Sequence, residues 1–155
     1  MAEMKTGYPP EVLAAIGLGS CVAVVLYDKH LTMAGLAHIM LPNIRGNLSN
    51  QEQNACKFAD SGIHLLLDTL IKKGAKKDNL FAKIAGGAQM FSLKSNNDIL
   101  KIGERNINSV KSTLGSLNIE ITAEDVGGTY GRTIDFDIKN GILKVKTIGF
   151  GEKIL

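Results

Sequence analysis

Apolar runs alternate with glycine-containing or polar breaks near the start of the chain. The run at 22–27 is apolar and rich in β-branched residues, a composition that predicts a buried strand. The run at 33–40 predicts a second strand, and residues 28–32 between them predict the turn of a hairpin. A shorter apolar run at 12–16 precedes them, and a turn is predicted at 17–19, where two glycines flank Leu18.

Two longer stretches have apolar residues three or four positions apart, which is the spacing of an amphipathic helix. The first helix is predicted over 51–73 and is expected to end at Gly74. Its buried stripe consists of Cys56, Ala59, Ile63, Leu66, Leu67 and Leu70. The second helix is predicted over 102–117. Its apolar side consists of Ile107, Val110 and Leu114.

Further strands are predicted at 80–85, 119–123, 134–138 and 142–148. The Asn-Gly pair between the last two indicates a hairpin. Residues 44–50 are predicted to form a polar loop. Strands and two helices in one small chain predict a mixed sheet with helices packed on it.

Composition narrows the class of protein. The 155 residues are predicted to form one domain, residues 1–155. Hydrophobic residues make up 45% of the chain and charged residues 21%, a composition that excludes a disordered protein. The 18 basic and 15 acidic side chains leave a net charge of +3, too small a bias for a dedicated nucleic-acid binder. The apolar stretch 12–27 is shorter than the ~20 residues of a membrane-spanning helix, so no membrane insertion is predicted. We expect a cytoplasmic protein with reduced thiols.

Cofactor motifs are weak in this sequence. The two cysteines have neither Cys-x-x-Cys nor Cys/His ligand spacing, so no zinc site is predicted. Gly17 and Gly19 lack the third glycine of the dinucleotide fingerprint, whose place Val22 takes, and the phosphate-binding loop motif is missing. No cofactor is therefore predicted.

Two further patterns each leave two interpretations open. Asp60, His64 and Asp68 fall four residues apart on a predicted helix. They could be a set of metal ligands, whereas a solvated helix face with paired charges is the more common use of such a spacing. The glycine-rich segment 127–131 could cradle an anion with its N–H groups, whereas a tight turn against other backbone is the more common use.

Cys21 and His38 are the candidate catalytic pair. Cys21 follows the glycine turn directly, where consecutive backbone N–H groups can point at one spot, as an oxyanion hole requires. A cysteine nucleophile also needs a base, and His38 lies near the end of the predicted partner strand, which would make the two neighbours across the ladder. Alternatively, Cys21 is a small core residue and His38 a histidine that merely packs. Cys56, on the apolar stripe of the first helix, is predicted to be an inert core thiol.

Several ordered segments carry a resemblance to a known family. They are GLGSCVAV at 17–24, GLAHIMLP at 35–42, KIAGGAQMF at 83–91, IGERN at 102–106 and DVGGTYGR at 125–132. In this order they resemble the chemoreceptor glutamine deamidases, the CheD family. Any one of these short motifs would be weak by itself, whereas their order along most of the chain makes chance a poor explanation.

The resemblance implies an α/β (α+β) three-layer sandwich, with a mixed sheet flanked by helices and a likeness to Cys-His hydrolases. It also implies hydrolysis of glutamine side chains on the cytoplasmic helices of a chemoreceptor, during chemotaxis adaptation. Carried over by position, Cys21 is the nucleophile and His38 its base. Backbone N–H groups around Gly19, Ser20 and Cys21 are the inferred oxyanion donors.

One position departs from the family pattern. Family members usually carry a threonine six residues before the cysteine as the third active-site residue, and Ala15 stands there. A backbone carbonyl, Ser20 or Thr32 could orient His38 instead. The family is also associated with a CheC-type chemotaxis phosphatase, so an alternative role is a binding regulator of such a phosphatase with weak deamidase activity.

Overall fold

The computed structural model describes residues 3–43, 52–89, 101–147 and 149–155. This part of the chain forms nine strands and two α-helices. The strands are β1 (Met4–Gly7), β2 (Val12–Leu18), β3 (Val22–Asp28), β4 (Met33–Ile39), β5 (Leu80–Gly86), β6 (Glu120–Val126), β7 (Arg132–Asp137), β8 (Ile142–Thr147) and β9 (Gly151–Ile154). The α-helices are α1 (Ala59–Lys72) and α2 (Ile102–Ser116), and short 3₁₀ helices lie at Glu52–Lys57 and Lys77–Asn79.

The strands form two sheets. The first is mixed and has the order β1-β4-β3-β5-β6, with β3 antiparallel to both of its neighbours. Its β5–β6 pair is parallel, which requires a crossover, and α2 lies in the connecting segment. The second sheet has the order β2-β7-β8-β9 and is antiparallel throughout.

Successive side chains of β3 point to opposite faces of the mixed sheet, and each face packs against another layer. Val22 and Val24 belong to a core shared with both helices, whereas Ala23 and Val25 belong to a core shared with the second sheet. The predicted three-layer α+β sandwich with a mixed sheet is therefore confirmed. Both helices cover one face of the mixed sheet, and the antiparallel sheet covers the other. This arrangement suits β7, which fully buries every second residue and needs an apolar partner for that side alone.

Most predicted elements agree with the structure. The strands predicted at 22–27, 33–40 and 80–85 are β3, β4 and β5, and the helix predicted at 102–117 is α2. The Asn-Gly hairpin joins β7 to β8. The polar loop predicted at 44–50 lies outside the described residues, as do residue 148 and the predicted start of the first helix.

The turn predicted at 17–19 is wrong in its first two residues, because β2 continues through Leu18. A β-bulge shifts the register with β7 between Ala15 and Leu18, and Gly17 has a φ of 71° there. The bulge turns both Ala15 and Leu18 into the core, while Ile16 stays 79% exposed. The simple alternation that marks a strand is broken at this point, so the apolar run at 12–16 did not show that a strand continues to Leu18.

The helix predicted over 51–73 is interrupted at Phe58. Its backbone is extended (φ −102°, ψ 144°) and bridges to Leu41, so α1 begins at Ala59 and a 3₁₀ helix precedes it. Cys56 lies in that 3₁₀ helix and is half-buried, so its predicted place on the buried stripe of the helix is wrong. The remaining members of the stripe are buried on α1 as predicted.

Candidate active site

The β3–β4 ladder places Cys21 and His38 on one face of the mixed sheet. The register pairs Ala23 with His38, and Cys21 lies two residues before Ala23, directly ahead of β3. Because side chains alternate along a strand, all three face the second sheet. Such diagonal positions are about 7–8 Å apart between Cα atoms, within reach of a long side chain. The structure thus brings the predicted pair together as diagonal neighbours.

Cys21 is partly exposed to solvent, whereas His38 is enclosed. Cys21 is half-buried, and His38 is 8% exposed. Nε2 of His38 is buried and has no hydrogen-bond partner among the described residues. A buried polar atom without a partner is costly, so a proton donor or a substrate atom at this position would relieve that cost.

Burial shifts the pKa values of the two groups in opposite directions. It raises the pKa of the Cys21 thiol above the ordinary 9.0, although the backbone N–H of Cys21 opposes the shift. It lowers the pKa of His38 below the ordinary 6.5, although the carboxylate of Glu3 opposes that shift. Both groups are therefore neutral at pH 7, and a thiolate has to form as the imidazole takes the proton.

Ala15 lines the same space between the two sheets. It is 5% exposed and belongs to the core that contains Ala23. Its methyl group offers no hydrogen bond to an imidazole. Thr32 is excluded as an orienting group because it stands six positions before His38 along an extended strand, about 20 Å away. Ser20 adjoins Cys21 and stays a candidate.

The loop before β3 is held by the segment that follows β5. The carbonyl of Gly19 accepts a hydrogen bond from the N–H of Ala88, and the carbonyl of Cys21 accepts one from the N–H of Gly87, each at 2.7 Å. Gly86 has a φ of 115°, and a Cβ atom there would collide with the Cys21 carbonyl. A glycine is therefore required where these two segments touch.

The carbonyl of Ser20, which lies between those of Gly19 and Cys21, accepts a hydrogen bond from a side chain of α2. The Nδ2 atom of Asn106 donates to the carbonyl of Ser20 at 2.8 Å. No backbone carbonyl in the described part of the chain, by contrast, accepts from the N–H groups of Ser20 and Cys21 outside the regular elements, and the N–H of Cys21 faces its own thiol. The N–H of Cys21 is therefore a donor beside the thiol, and the prediction that Ser20 and Cys21 form an oxyanion hole stays a prediction.

Arg132 fixes the glycine-rich turn against the same segment. It is 3% exposed, its Nε donates to Oδ1 of Asp125 at 2.7 Å, and its Nη1 donates to the carbonyl of Gly127 at 2.8 Å. The N–H of Gly127 in turn donates to the carbonyl of Gly86 at 2.9 Å. Because this N–H is occupied, the structure supports a tight turn against other backbone for residues 127–131.

We expect Arg132→Met to lower the free energy of unfolding by about 3 kcal/mol, since removing one partner of a buried ion pair costs ~3–5 kcal/mol. Asp125 keeps an ion pair with Lys153 at 3.1 Å, which places the loss at the lower end of that range. Urea denaturation measures the change. Lys111→Met is the control, because it breaks an exposed ion pair and should cost less than about 1 kcal/mol. Equal losses in the two variants would contradict the structural role of Arg132.

The remaining sequence candidates lie apart from the pair. Nδ1 of His64 is 2.7 Å from the carbonyl of Asp60, one turn earlier on α1. Across the described ranges, His, Cys, Asp and Glu side chains form no group of three or more that could hold a metal ion. A cavity of about 570 Å³ lies beside Tyr27 and Lys83, at the end of β3 opposite to Cys21. None of the helices described here is both long and apolar enough to cross a membrane.

Sequence reasoning did not single out Asn106, which is fully buried on α2. It precedes the buried residues Val110 and Leu114 by four and eight positions, so it lies on their stripe. A polar residue on a stripe of buried apolar residues is the signal that would have identified it.

Comparison with known proteins agrees with the sequence resemblance. The family model described as CheD chemotactic sensory transduction matches residues 40–147, more than half of the chain. A protein of Caldanaerobacter subterraneus subsp. tengcongensis, named probable chemoreceptor glutamine deamidase CheD, is 52% identical over 155 residues, 100% of this chain and 94% of that protein.

Two further relatives carry the name chemoreceptor glutamine deamidase CheD. The protein of Halalkalibacterium halodurans is 50% identical over 153 residues, 99% of this chain and 94% of that protein. The protein of Bacillus subtilis is 45% identical over 156 aligned residues, 100% of this chain and 93% of that protein. These alignments extend across the part of the chain that contains Cys21 and His38. On the family match and on these relatives, the chain belongs to the CheD family.

Proposed function

We propose that this protein hydrolyses specific glutamine side chains on the cytoplasmic helices of a chemoreceptor, as a step of adaptation in chemotaxis. The names of its relatives support this substrate class. The observation that carries the proposal is the shared face of the ladder. The half-buried Cys21 lies diagonal to the enclosed imidazole of His38, and the N–H of Cys21 faces the thiol.

In the proposed reaction, Cys21 is the nucleophile and His38 its base. Nε2 of the neutral imidazole takes the thiol proton as Sγ forms a bond to the amide carbon. The amide oxygen becomes an oxyanion and accepts hydrogen bonds from the N–H groups of Ser20 and Cys21. The carbon–nitrogen bond then breaks, and His38 returns the proton to the nitrogen, which leaves as ammonia.

Water resolves the thioester that remains. His38 takes a proton from a water molecule while the water oxygen bonds to the acyl carbon. The carbon–sulfur bond breaks, and the proton returns to Cys21. One glutamine and one water are converted into one glutamate and one ammonia. The protons and the acyl group balance without a cofactor.

The test is ammonia release from the purified cytoplasmic fragment of a chemoreceptor, with mass spectrometry to locate each new glutamate. Wild-type protein should release ammonia in proportion to the glutamates formed. A receptor fragment with glutamate in place of the modified glutamines is the matched control and should release none. Glutamines that stay intact in the presence of wild-type protein would refute the proposed substrate.

The pH profile of deamidation should have its acid inflection below 6.5, because a base must be neutral and burial lowers the pKa of His38. Activity is therefore retained just below pH 6.5 and is lost as pH falls through the lowered pKa. The profile of kcat/KM against pH measures this value. Glu3→Gln removes the carboxylate that raises the pKa of His38, so it should move the inflection further down. An inflection above 6.5 would be inconsistent with an enclosed neutral base.

A second candidate function is a binding regulator of a CheC-type chemotaxis phosphatase with weak deamidase activity. The observation that favours it is the buried methyl group of Ala15, where a hydroxyl would be able to orient His38. A base that is not held in one orientation contributes less to the rate. In this alternative, the fold would serve binding more than turnover.

Ala15→Thr is expected to raise the deamidation rate several-fold, as a part of the ~10²–10⁴-fold that a well-held general base contributes. Threonine suits a strand, although overpacking of this buried position could cost about 1–3 kcal/mol, so a thermal melt accompanies the assay. Ala14→Thr, on the exposed side of β2, is the control and should leave the rate unchanged. A folded Ala15→Thr protein with an unchanged rate would show that another group already orients His38.

A further inference from the structure

We propose that Asn106 is a positioning residue that orients the Ser20–Cys21 peptide, so that the N–H of Cys21 can donate to the oxyanion. This inference rests on the proposed function, because it assumes that Cys21 attacks a carbonyl carbon. It assigns a role to a residue of α2 that belongs to neither strand of the catalytic ladder.

The side chain of Asn106 bridges two strands where their ladder ends. Its Nδ2 donates to the carbonyl of Ser20 at 2.8 Å and to the carbonyl of Met40 at 3.0 Å. An amide nitrogen has two N–H donors, and both are used here. One anchor directly precedes Cys21, and the other follows His38 by two positions. The clamp therefore fixes the chain on both sides of the candidate pair.

The Asn106 amide joins β3 and β4 beyond the point where the main-chain hydrogen bonds between these strands end. The ladder between β3 and β4 ends at the pair Val22 and Ile39. Beyond it, the N–H of Met40 turns away and donates to the carbonyl of Lys57 at 2.8 Å. The two strand ends are consequently no longer joined by ladder hydrogen bonds, and the Asn106 amide joins them instead.

Orienting the Ser20 carbonyl also orients the N–H of Cys21. The two groups belong to one planar trans peptide, in which the C=O and N–H bonds point in opposite directions. Asn106 holds the carbonyl toward α2, so the N–H of Cys21 points away from the helix, on the side that faces the second sheet. The thiol of Cys21 packs on that side, and this same N–H opposes the rise of the thiol pKa. The donor is therefore aimed at the space where the amide carbon would react.

Close packing of α2 on the loop holds the Asn106 amide in place. Asn106 is fully buried, yet its Oδ1 has no hydrogen-bond partner among the described residues. An apolar side chain of the same size would remove that orphaned oxygen but would leave the carbonyls of Ser20 and Met40 without these donors. Gly103, one turn earlier, brings α2 against the carbonyls of Gly87 and Ala88, because a Cβ atom there would collide with both. This close approach places the amide within reach of the loop.

The test compares two reactions of the Cys21 thiol in a Cys56→Ala background, so that one cysteine is present. Acylation by p-nitrophenyl acetate passes through an oxyanion, whereas alkylation by iodoacetamide is a displacement without one. We expect Asn106→Ala to slow acylation about tenfold or more, since oxyanion donors contribute ~10²–10³-fold. Alkylation should keep its wild-type rate. Thr113→Val is the matched control, because it removes a buried hydrogen bond within α2 and should leave both rates unchanged.

Both reactions are followed by mass spectrometry below the onset of each protein's thermal transition. Asn106→Ser leaves a hydroxyl donor and a smaller void, so its acylation should fall less than that of Asn106→Ala, and it decides the question if the alanine variant does not fold. Equal losses of acylation and alkylation, or no loss of either, would overturn the proposal. Acylation of wild-type Cys21 without ammonia release from the receptor fragment would instead refute the proposed substrate and leave this comparison valid.

Discussion

Ammonia release is expected to fall to the background of the assay when Cys21 is replaced by serine or alanine. In the proposed reaction Sγ forms the bond to the amide carbon, and loss of a hydrolase nucleophile lowers turnover by a factor on the order of 10⁴ or more. A serine hydroxyl in this place is a far weaker nucleophile because its proton is much harder to remove. Cys21 is small and half-buried, so the free energy of unfolding should change by about 1 kcal/mol or less. A thermal melt alongside the ammonia assay separates lost chemistry from lost structure.

Cys56→Ala is the matched control for this result. Cys56 is the second cysteine of the chain, is also half-buried, and lies in the 3₁₀ helix at Glu52–Lys57, outside the β3–β4 ladder. Its replacement should leave the deamidation rate near that of the wild type. Ammonia release that persists in Cys21→Ala would show that Cys21 is not the nucleophile. Ammonia release that disappears in Cys56→Ala alone would show the same.

His38→Ala is expected to lower the deamidation rate by about 10²–10⁴-fold, the usual contribution of a positioned general base. The effect should be large here because burial raises the pKa of the Cys21 thiol, so little thiolate exists at neutral pH without a base. The fall should appear mainly in kcat, since the imidazole acts on protons that move during the reaction. Initial rates over a range of receptor-fragment concentrations separate kcat from KM.

His64→Ala provides the control for general effects of losing a histidine. His64 is exposed on α1 and bonds within its own helix, so its removal should leave the rate unchanged. Added imidazole should restore part of the activity of His38→Ala, because the free base can occupy the space that the side chain has left. A rate near that of the wild type in His38→Ala would exclude this residue as the base.

Local pattern was sufficient for the elements that carry the candidate pair. β3 is buried on both faces, so its sequence is an unbroken apolar run, and α2 buries one stripe, so its apolar residues recur three or four apart. The turn between β3 and β4 is short, which leaves an antiparallel hairpin as the natural pairing. From this, the sequence placed Cys21 and His38 at the same end of one ladder.

Sequence patterns failed where the conformation of one segment depends on contacts with a segment far away in the chain. Leu41 pairs with Phe58 and delays the start of α1, and the bulge at Gly17 extends β2 beyond the point where its alternation stops. The strands β1 and β9 have four residues each, too few for a periodic pattern to show. A run of apolar residues indicates that a segment is buried, but it does not indicate which other segment packs against it.

The sequence by itself therefore determined the β3–β4 ladder, the helix α2 and the identity of the candidate nucleophile and base. The tertiary structure alone decided what surrounds them. It placed the second sheet over their face, enclosed His38 so that its pKa falls, and held the Ser20 carbonyl with Asn106, which is 86 residues away in the chain. These features depend on hydrogen bonds and desolvation between residues far apart in sequence, and neither leaves a periodic trace in the order of amino acids.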